Sequence, residues 1–221
     1  MTASVSQESA PIIVVGAGPV GLFQALSLHL RGIDCVVIDK RHTSISDTRS
    51  IGIHPPCLDM LDELGLLNQF LKKGIRVDKG IAHNGRKKLG EINFSSTQQS
   101  EHKHPYILIH PQNETERLLK NAFSELSPHS IRYGFEVTDF QDNGDHLVVY
   151  SHEVSQSPDK HVSQSREDRC TILIGCDGKN SALRRLAGRA FVGSQYPDTY
   201  AMGDFLDLEY PQSPPYIYIT S

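Results

Sequence analysis

Gly16, Gly18 and Gly21 follow directly on Ile12-Ile13-Val14-Val15, and no other stretch limits the possible folds as much. Four consecutive β-branched apolar residues read as a short strand buried on both faces, the habit of parallel sheets. The spacing G-x-G-x-x-G then predicts a tight turn into a helix. The glycines differ in what they do. The first turns the chain off the strand, the second leaves the backbone bare for a pyrophosphate, and the third lets the helix lie close to the sheet. Pro19 suits the first helical turn, where its missing N–H costs nothing. Leu22, Ala25, Leu26 and Leu30 recur near helical spacing, so the helix is expected to reach about Arg31, with Gly32 as its C-terminal cap. Cys35-Val36-Val37-Ile38 is a second strand, and Asp39 ends it 18 residues past Gly21. A dinucleotide fold places there the carboxylate that bonds an adenosine ribose. Gly16, Gly18, Pro19, Gly21 and Asp39, with Lys40 beside the acid, are therefore candidate cofactor-binding residues.

Composition narrows the class. A chain of 221 residues suits one large domain or two small ones. Its net charge of −4 comes from scattered residues of both signs, so no basic face for nucleic acid is expected, and Arg86-Lys87-Lys88 reads as a solvated turn. None of the four cysteines forms C-x-x-C, which predicts free thiols in a reducing compartment. The first ten residues are polar, and no apolar run has the length of a membrane span; a cytoplasmic protein is expected. No G-x-S-x-G occurs, and Gly178-Lys179-Asn180-Ser181 lacks the spacing of a P-loop, so hydrolase and NTPase readings fall away. His102, His104 and His110 show no convergent acid or cysteine set, and no metal site is predicted.

Beyond Asp39 the chain leaves the plan of a plain nicotinamide-binding domain, which would continue β-α-β-α. Residues 40–54 are polar and carry Arg49; Pro55 to Gly65 reads as a helix and Leu66 to Lys72 as a second short one. Residues 75–94 alternate weakly around the hairpin signal Asn84-Gly85. A strand at Tyr106 to His110 leads into Pro111-Gln112 and a helix from about Asn113 to Leu126. Two or three antiparallel strands are expected over Ile131 to Phe140 and Leu147 to His152, then a polar hairpin tip at Ser155 to Asp168, then one buried strand from Cys170 to Cys176 ending in Asp177-Gly178. An antiparallel excursion before the parallel sheet resumes fits an FAD-binding domain of the glutathione-reductase type.

Four ordered motifs make the chain resemble the N-terminal part of the group A flavoprotein monooxygenases, the p-hydroxybenzoate hydroxylase and phenol hydroxylase family. They are the glycine turn with its strand-end acid; Thr48-Arg49-Ser50 with the helix after it; His110-Pro111-Gln112 with its helix; and Gly175-Cys176-Asp177-Gly178-Lys179-Asn180-Ser181-Ala182-Leu183-Arg184. The resemblance maps a flavin-pyrophosphate arginine onto Arg49, a cofactor-contacting glutamine onto Gln112, and an FAD- and nicotinamide-linked motif onto Asp177, Gly178, Ser181 and Arg184. On the residues alone, Gln112 also suits a helix cap, and Asp177 the cap of the helix after it.

The resemblance implies an α/β fold: a Rossmann-like parallel sheet with an antiparallel β insertion and the start of a β-rich substrate domain. It implies a disordered tail over 1–10, an FAD-binding domain over 11–74 and 105–190, and substrate-domain sheet over 75–104 and 191–221. The implied activity is monooxygenation of an aromatic molecule, phenolic or polyketide-like, with FAD as cofactor, NAD(P)H as reductant and dioxygen as co-substrate. No catalytic side chain is implied, because in this family those come from a variable substrate domain. Another FAD-dependent oxidoreductase, or a non-catalytic FAD-binding remnant, is the alternative. The family's second flavin motif is not matched by Gly203-Asp204, which precedes strand-like residues. A short or truncated form, weak in FAD binding and completed by a homodimer or another chain, is the corresponding expectation.

Overall fold

The computed structural model describes residues 6–9, 11–43, 52–84, 87–94, 101–156, 164–194 and 217–219. In chain order its elements are β1 (Ser6–Ser9), β2 (Ile12–Val15), α1 (Pro19–His29), β3 (Cys35–Asp39), β4 (Gly52–Ile53), α2 (Pro55–Glu63), α3 (Leu67–Leu71), β5 (Ile75–Val77), β6 (Lys79–Asn84) and β7 (Lys87–Asn93). There follow β8 (Ile107–Ile109), α4 (Gln112–Leu126), β9 (Ile131–Tyr133), β10 (Phe135–Asp142), β11 (Leu147–Glu153), β12 (Ser165–Cys170), β13 (Ile172–Gly175), α5 (Ala182–Leu186) and β14 (Ile217–Ile219). Two compact units result, Met1–Ser50 with Pro111–Ala190, and Ile51–His110 with Phe191–Ser221. Residues 51–74, assigned from sequence to the FAD-binding part, thus group with the strands that follow them.

The first unit has three layers. Its middle layer is the parallel sheet β13-β2-β3-β9. Alternation along the strands sends Ile13, Val15 and Ile38 to one face, where they form a core with Val137, Val149, Cys170 and Leu183 from β10, β11, β12 and α5. Cys35 and Val37 point the other way, toward α1; the Cys35 thiol lies 3.7 Å from the Ala25 carbonyl oxygen. Helix α4 packs against α1. It buries Leu119 and Phe123, and the Phe123 ring stands edge-on to His29 at 6.3 Å. Full burial of each large apolar side chain here stabilises the fold by about 1.5–3 kcal/mol.

The second sheet, β1-β12-β11-β10, corrects three expectations. Ser6–Ser9, expected in a disordered tail, pairs in parallel with Arg166–Arg169. Ser165–Asp168, expected in a hairpin tip, belongs to β12, and Asp168 is buried there beside Arg132 at 2.9 Å. The stretch from Ile131 to Phe140, expected to be antiparallel throughout, is two strands in different sheets: β9 extends the parallel sheet next to β3, and β10 starts the antiparallel one. Gly134 makes that change with φ +77°, in a place where a Cβ would lie 2.7 Å from His42 Nδ1. The run from Cys170 to Cys176 likewise breaks at Thr171, whose N–H donates to the Pro11 carbonyl at 3.0 Å. Periodicity marks strands but not the sheet each one joins, so both breaks escape it.

The second unit holds the antiparallel sheet β4-β8-β5 and the sheet β14-β6-β7. Strands β6 and β7 pair antiparallel on either side of the expected hairpin, whose residues 85–86 lie outside the described ones. Leu58, Leu61, Leu67, Phe70 and Leu108 are buried, and Phe70 lies 5.0 Å from the His110 ring. Two of the histidines, His102 and His104, each meet an acid of α2 more than forty positions earlier in the chain. His102 Nδ1 is 2.8 Å from Asp59 Oδ2, and His104 Nε2 is 3.2 Å from Asp62 Oδ2. Among the described residues no group of three or more metal-ligating side chains converges.

The thiols give a test of this packing. Burial pushes Cys35 and Cys170 up to about 11, whereas Cys57 is exposed on α2. A thiol reagent at about pH 8 should therefore label Cys57 rapidly and leave Cys35 and Cys170 protected until the chain unfolds. Mass mapping of the labelled peptides checks it; rapid labelling of Cys35 would mean that α1 does not cover the sheet.

Candidate functional site

In the parallel sheet β2 has β3 on one side and β13 on the other, so the chain order reverses there. The C-terminal ends of β2 and β13 thus flank the crevice where open α/β sheets bind ligands. The glycine turn leaves β2 at that edge. The Gly16 N–H donates to the Ile38 carbonyl at 2.8 Å, and the Cys176 N–H donates to the Val15 carbonyl at 2.7 Å. Gly16 has φ +106°, and an added Cβ would run into the Cys176 carbonyl oxygen. A Cβ on Gly21 would collide with the Gly16 carbonyl oxygen, so α1 sits too close to its own turn for any side chain there. Gly18 differs: a Cβ would have nothing within 4 Å. Gly18 is also the N-terminal cap of α1, Pro19 follows it, no side chain caps the helix, and its first turn holds no acid. Open space meets an uncapped helix N-terminus, an arrangement suited to a diphosphate.

Asp39 closes β3 beside this turn and is 6% exposed. Its Oδ2 accepts the Ala17 N–H at 2.6 Å and Arg41 Nη2 at 2.9 Å. Its Oδ1 accepts the Arg41 backbone N–H at 2.8 Å and Arg41 Nε at 3.0 Å. Burial alone would raise the pKa of Asp39, but the Arg41 hydrogen bonds and charge and the Ala17 N–H outweigh it and hold the carboxyl below its ordinary value. Arg41 reaches on to Glu116, with Nη1 at 3.4 Å from Oε2. Glu116, on α4, is 1% exposed, and its Oε1 accepts Gln112 Nε2 at 3.1 Å. One polar chain thus runs from the glycine turn through Asp39, Arg41 and Glu116 to Gln112.

The remaining candidates are placed as follows. Asp177 lies two residues past β13, against the glycine turn, and caps α5. Its Oδ1 accepts Ser181 Oγ at 2.6 Å, and its Oδ2 accepts the Ala182 N–H at 2.6 Å. The Ser181 Oγ in turn accepts the Arg184 N–H at 3.0 Å. Gly178 has φ +83° and open space beside it. Lys40 is exposed and pairs with Glu136 at 3.3 Å. Arg49 and Gly203-Asp204 lie outside the described residues.

Arg41 and Glu116 do not stand out in the sequence. The signals that could find them are short-range: Arg41 follows the strand-end acid by two positions, and Glu116 follows Gln112 by four, which is one helical turn on the same face.

Comparison with known proteins agrees with this geometry. Residues 9–210 match the model of a family described as "FAD binding domain". A rifampicin monooxygenase of Rhodococcus hoagii is 31% identical over 175 residues, which covers 79% of this chain and 33% of that protein. The anhydrotetracycline hydroxylase of Streptomyces rimosus superposes with a TM-score of 0.70 at 29% identity, covering 85% of this chain and 35% of the other. The p-nitrophenol 4-monooxygenase of Pseudomonas putida has the same fold, with a TM-score of 0.76 at 23% identity, covering 87% of this chain and 46% of the other. The chain spans about a third of the length of the curated relatives it matches. With its glycine turn and strand-end acid on a parallel sheet, this chain belongs to the family described as FAD binding domain.

Proposed function

We propose that this chain binds FAD and forms the cofactor-binding part of an NAD(P)H-using monooxygenase acting on a phenolic or polyketide-like aromatic molecule. The observation that carries the reading is the bare, uncapped start of α1 over Gly18, with Asp39 at the neighbouring strand end. Gly16, Gly18, Pro19 and Gly21 shape the cradle for the diphosphate, and Asp39 is the acid for the adenosine ribose. Lys40, by its place beside the acid, and Arg49, Gln112, Asp177 and Gly178, by resemblance, complete the set. Bound FAD supplies the electron transfer between nicotinamide and dioxygen. This chain's residues bind it and fix its orientation; Asp177 does so indirectly, by holding α5 and the Gly178 turn in place. The aromatic substrate class follows from relatives whose names give rifampicin, dehydro- and anhydrotetracycline, pentachlorophenol and para-nitrophenol as substrates.

The test is anaerobic reduction of the FAD-loaded chain by NADH and by NADPH, with and without a panel of phenols and polyketide aromatics. Bleaching of the flavin, faster with an aromatic present, is the expected result. Stable yellow flavin with both nicotinamides under every condition would overturn the oxidoreductase part of the reading while leaving FAD binding intact.

A further inference from the structure

We propose that Glu116 is a positioning residue of the cofactor site: from α4 it holds Gln112 and Arg41 together, and so sets the cofactor-facing geometry of Gln112. This rests on the FAD reading above. Glu116 is 1% exposed, and nothing in the proposed chemistry uses it as an acid or base. A carboxylate buried that far is costly unless charged or polar donors surround it. Its two oxygens are divided between two parts of the site. Oε1 accepts Gln112 Nε2 at 3.1 Å, and Oε2 faces Arg41 Nη1 at 3.4 Å.

The chemistry of the partners fixes the arrangement. A carboxylate only accepts, so the Gln112 amide must turn its NH2 end toward Glu116. The amide orientation is thereby dictated, and with it which edge of Gln112 a ligand meets. Arg41 is held at its other end by both oxygens of Asp39, at 3.0 Å and 2.9 Å. The guanidinium fork therefore fixes Glu116 relative to β3, and Glu116 fixes Gln112 relative to the ribose acid. Helix α4 starts at Gln112, so this link also registers its first turn against the end of the parallel sheet.

A double-mutant cycle in FAD affinity tests this, using the full chain and quenching of flavin fluorescence. The variants are Gln112→Ala, Glu116→Gln and the pair. A neutral amide at 116 cannot accept on both arms, so Glu116→Gln and Gln112→Ala should each weaken FAD binding about tenfold, and the pair should lose little more than either alone. Glu116→Asp keeps the charge for Arg41 but is one methylene too short to serve both arms. It should show the same non-additivity, and it serves where Glu116→Gln does not fold. Losses that multiply in the pair, or unchanged affinity in folded Glu116→Gln or Glu116→Asp, would overturn the proposal, since a merely structural carboxylate has no coupling to Gln112. Wild-type protein that binds no FAD would overturn the underlying reading, and this inference with it.

Discussion

Gly18→Val should leave the chain folded and abolish FAD binding, whereas Gly21→Ala should damage the fold itself. The two positions belong to one motif but meet different surroundings. A Cβ at 18 has nothing within 4 Å, and Gly18 has φ −75°, a conformation open to any residue. The cost to stability is that of a poorer helix cap, about 1 kcal/mol. A valine there fills the space over the first turn of α1 that a diphosphate needs, and affinity should fall by more than about a hundredfold, roughly 3 kcal/mol. At position 21 even a methyl group collides with the Gly16 carbonyl oxygen, which is backbone and cannot swing aside. Forcing the helix off its turn costs about 1–3 kcal/mol or more. Urea unfolding together with FAD titration separates the two; equal stability loss in both variants would show that the space over Gly18 is not what the second glycine protects.

Asp39→Asn should destabilise the chain even without cofactor. Both Asp39 oxygens accept from N–H donors, Ala17 and Arg41 on one, Arg41 twice on the other. Whichever way an asparagine amide turns, its NH2 faces a donor. The substitution also leaves Arg41 with a weaker anionic partner set, and because that side chain is 25% exposed, water recovers part of the loss. The net cost should be about 3 kcal/mol, at the low end for breaking a buried ion pair. The pH dependence is specific. The fold holds the Asp39 carboxyl below its ordinary value of 3.8, so its contribution is complete above that value and is lost as pH falls through the depressed one. The stability gap between wild type and Asp39→Asn should therefore be widest near neutrality and close as the pH falls through the depressed value. A gap that stays constant from neutrality to strong acid would mean that the ionised carboxyl is not what supports this corner.

Much of the site is legible in the sequence because its parts are local. The strand Ile12–Val15, the three glycines and Asp39 lie within one β-α-β unit, where sequence spacing is nearly spatial spacing. Gln112 and Asp177 are proposed as cofactor residues only by resemblance, while the cap that Asp177 makes for α5 is legible from its place before a helix. What escapes depends on long-range pairing. The Arg41–Glu116 contact spans 75 positions, and nothing periodic announces it. The sheet changes at Gly134 and Thr171 occur inside continuous β-prone runs, and the pairing of Ser6–Ser9 with β12 gives structure to residues too polar to signal a strand.

The FAD reading stands or falls on whether the adenosine half of the cofactor lies against Gly18 and Asp39. Calorimetric titration of FAD into the purified chain, repeated with ADP and with FMN as competitors, addresses this directly. The expected result is saturable binding of one FAD per chain, displaced by ADP, which carries the diphosphate and ribose, and little affected by FMN, which lacks the adenosine. Displacement by FMN but not by ADP, or no saturable FAD binding at all, would contradict it.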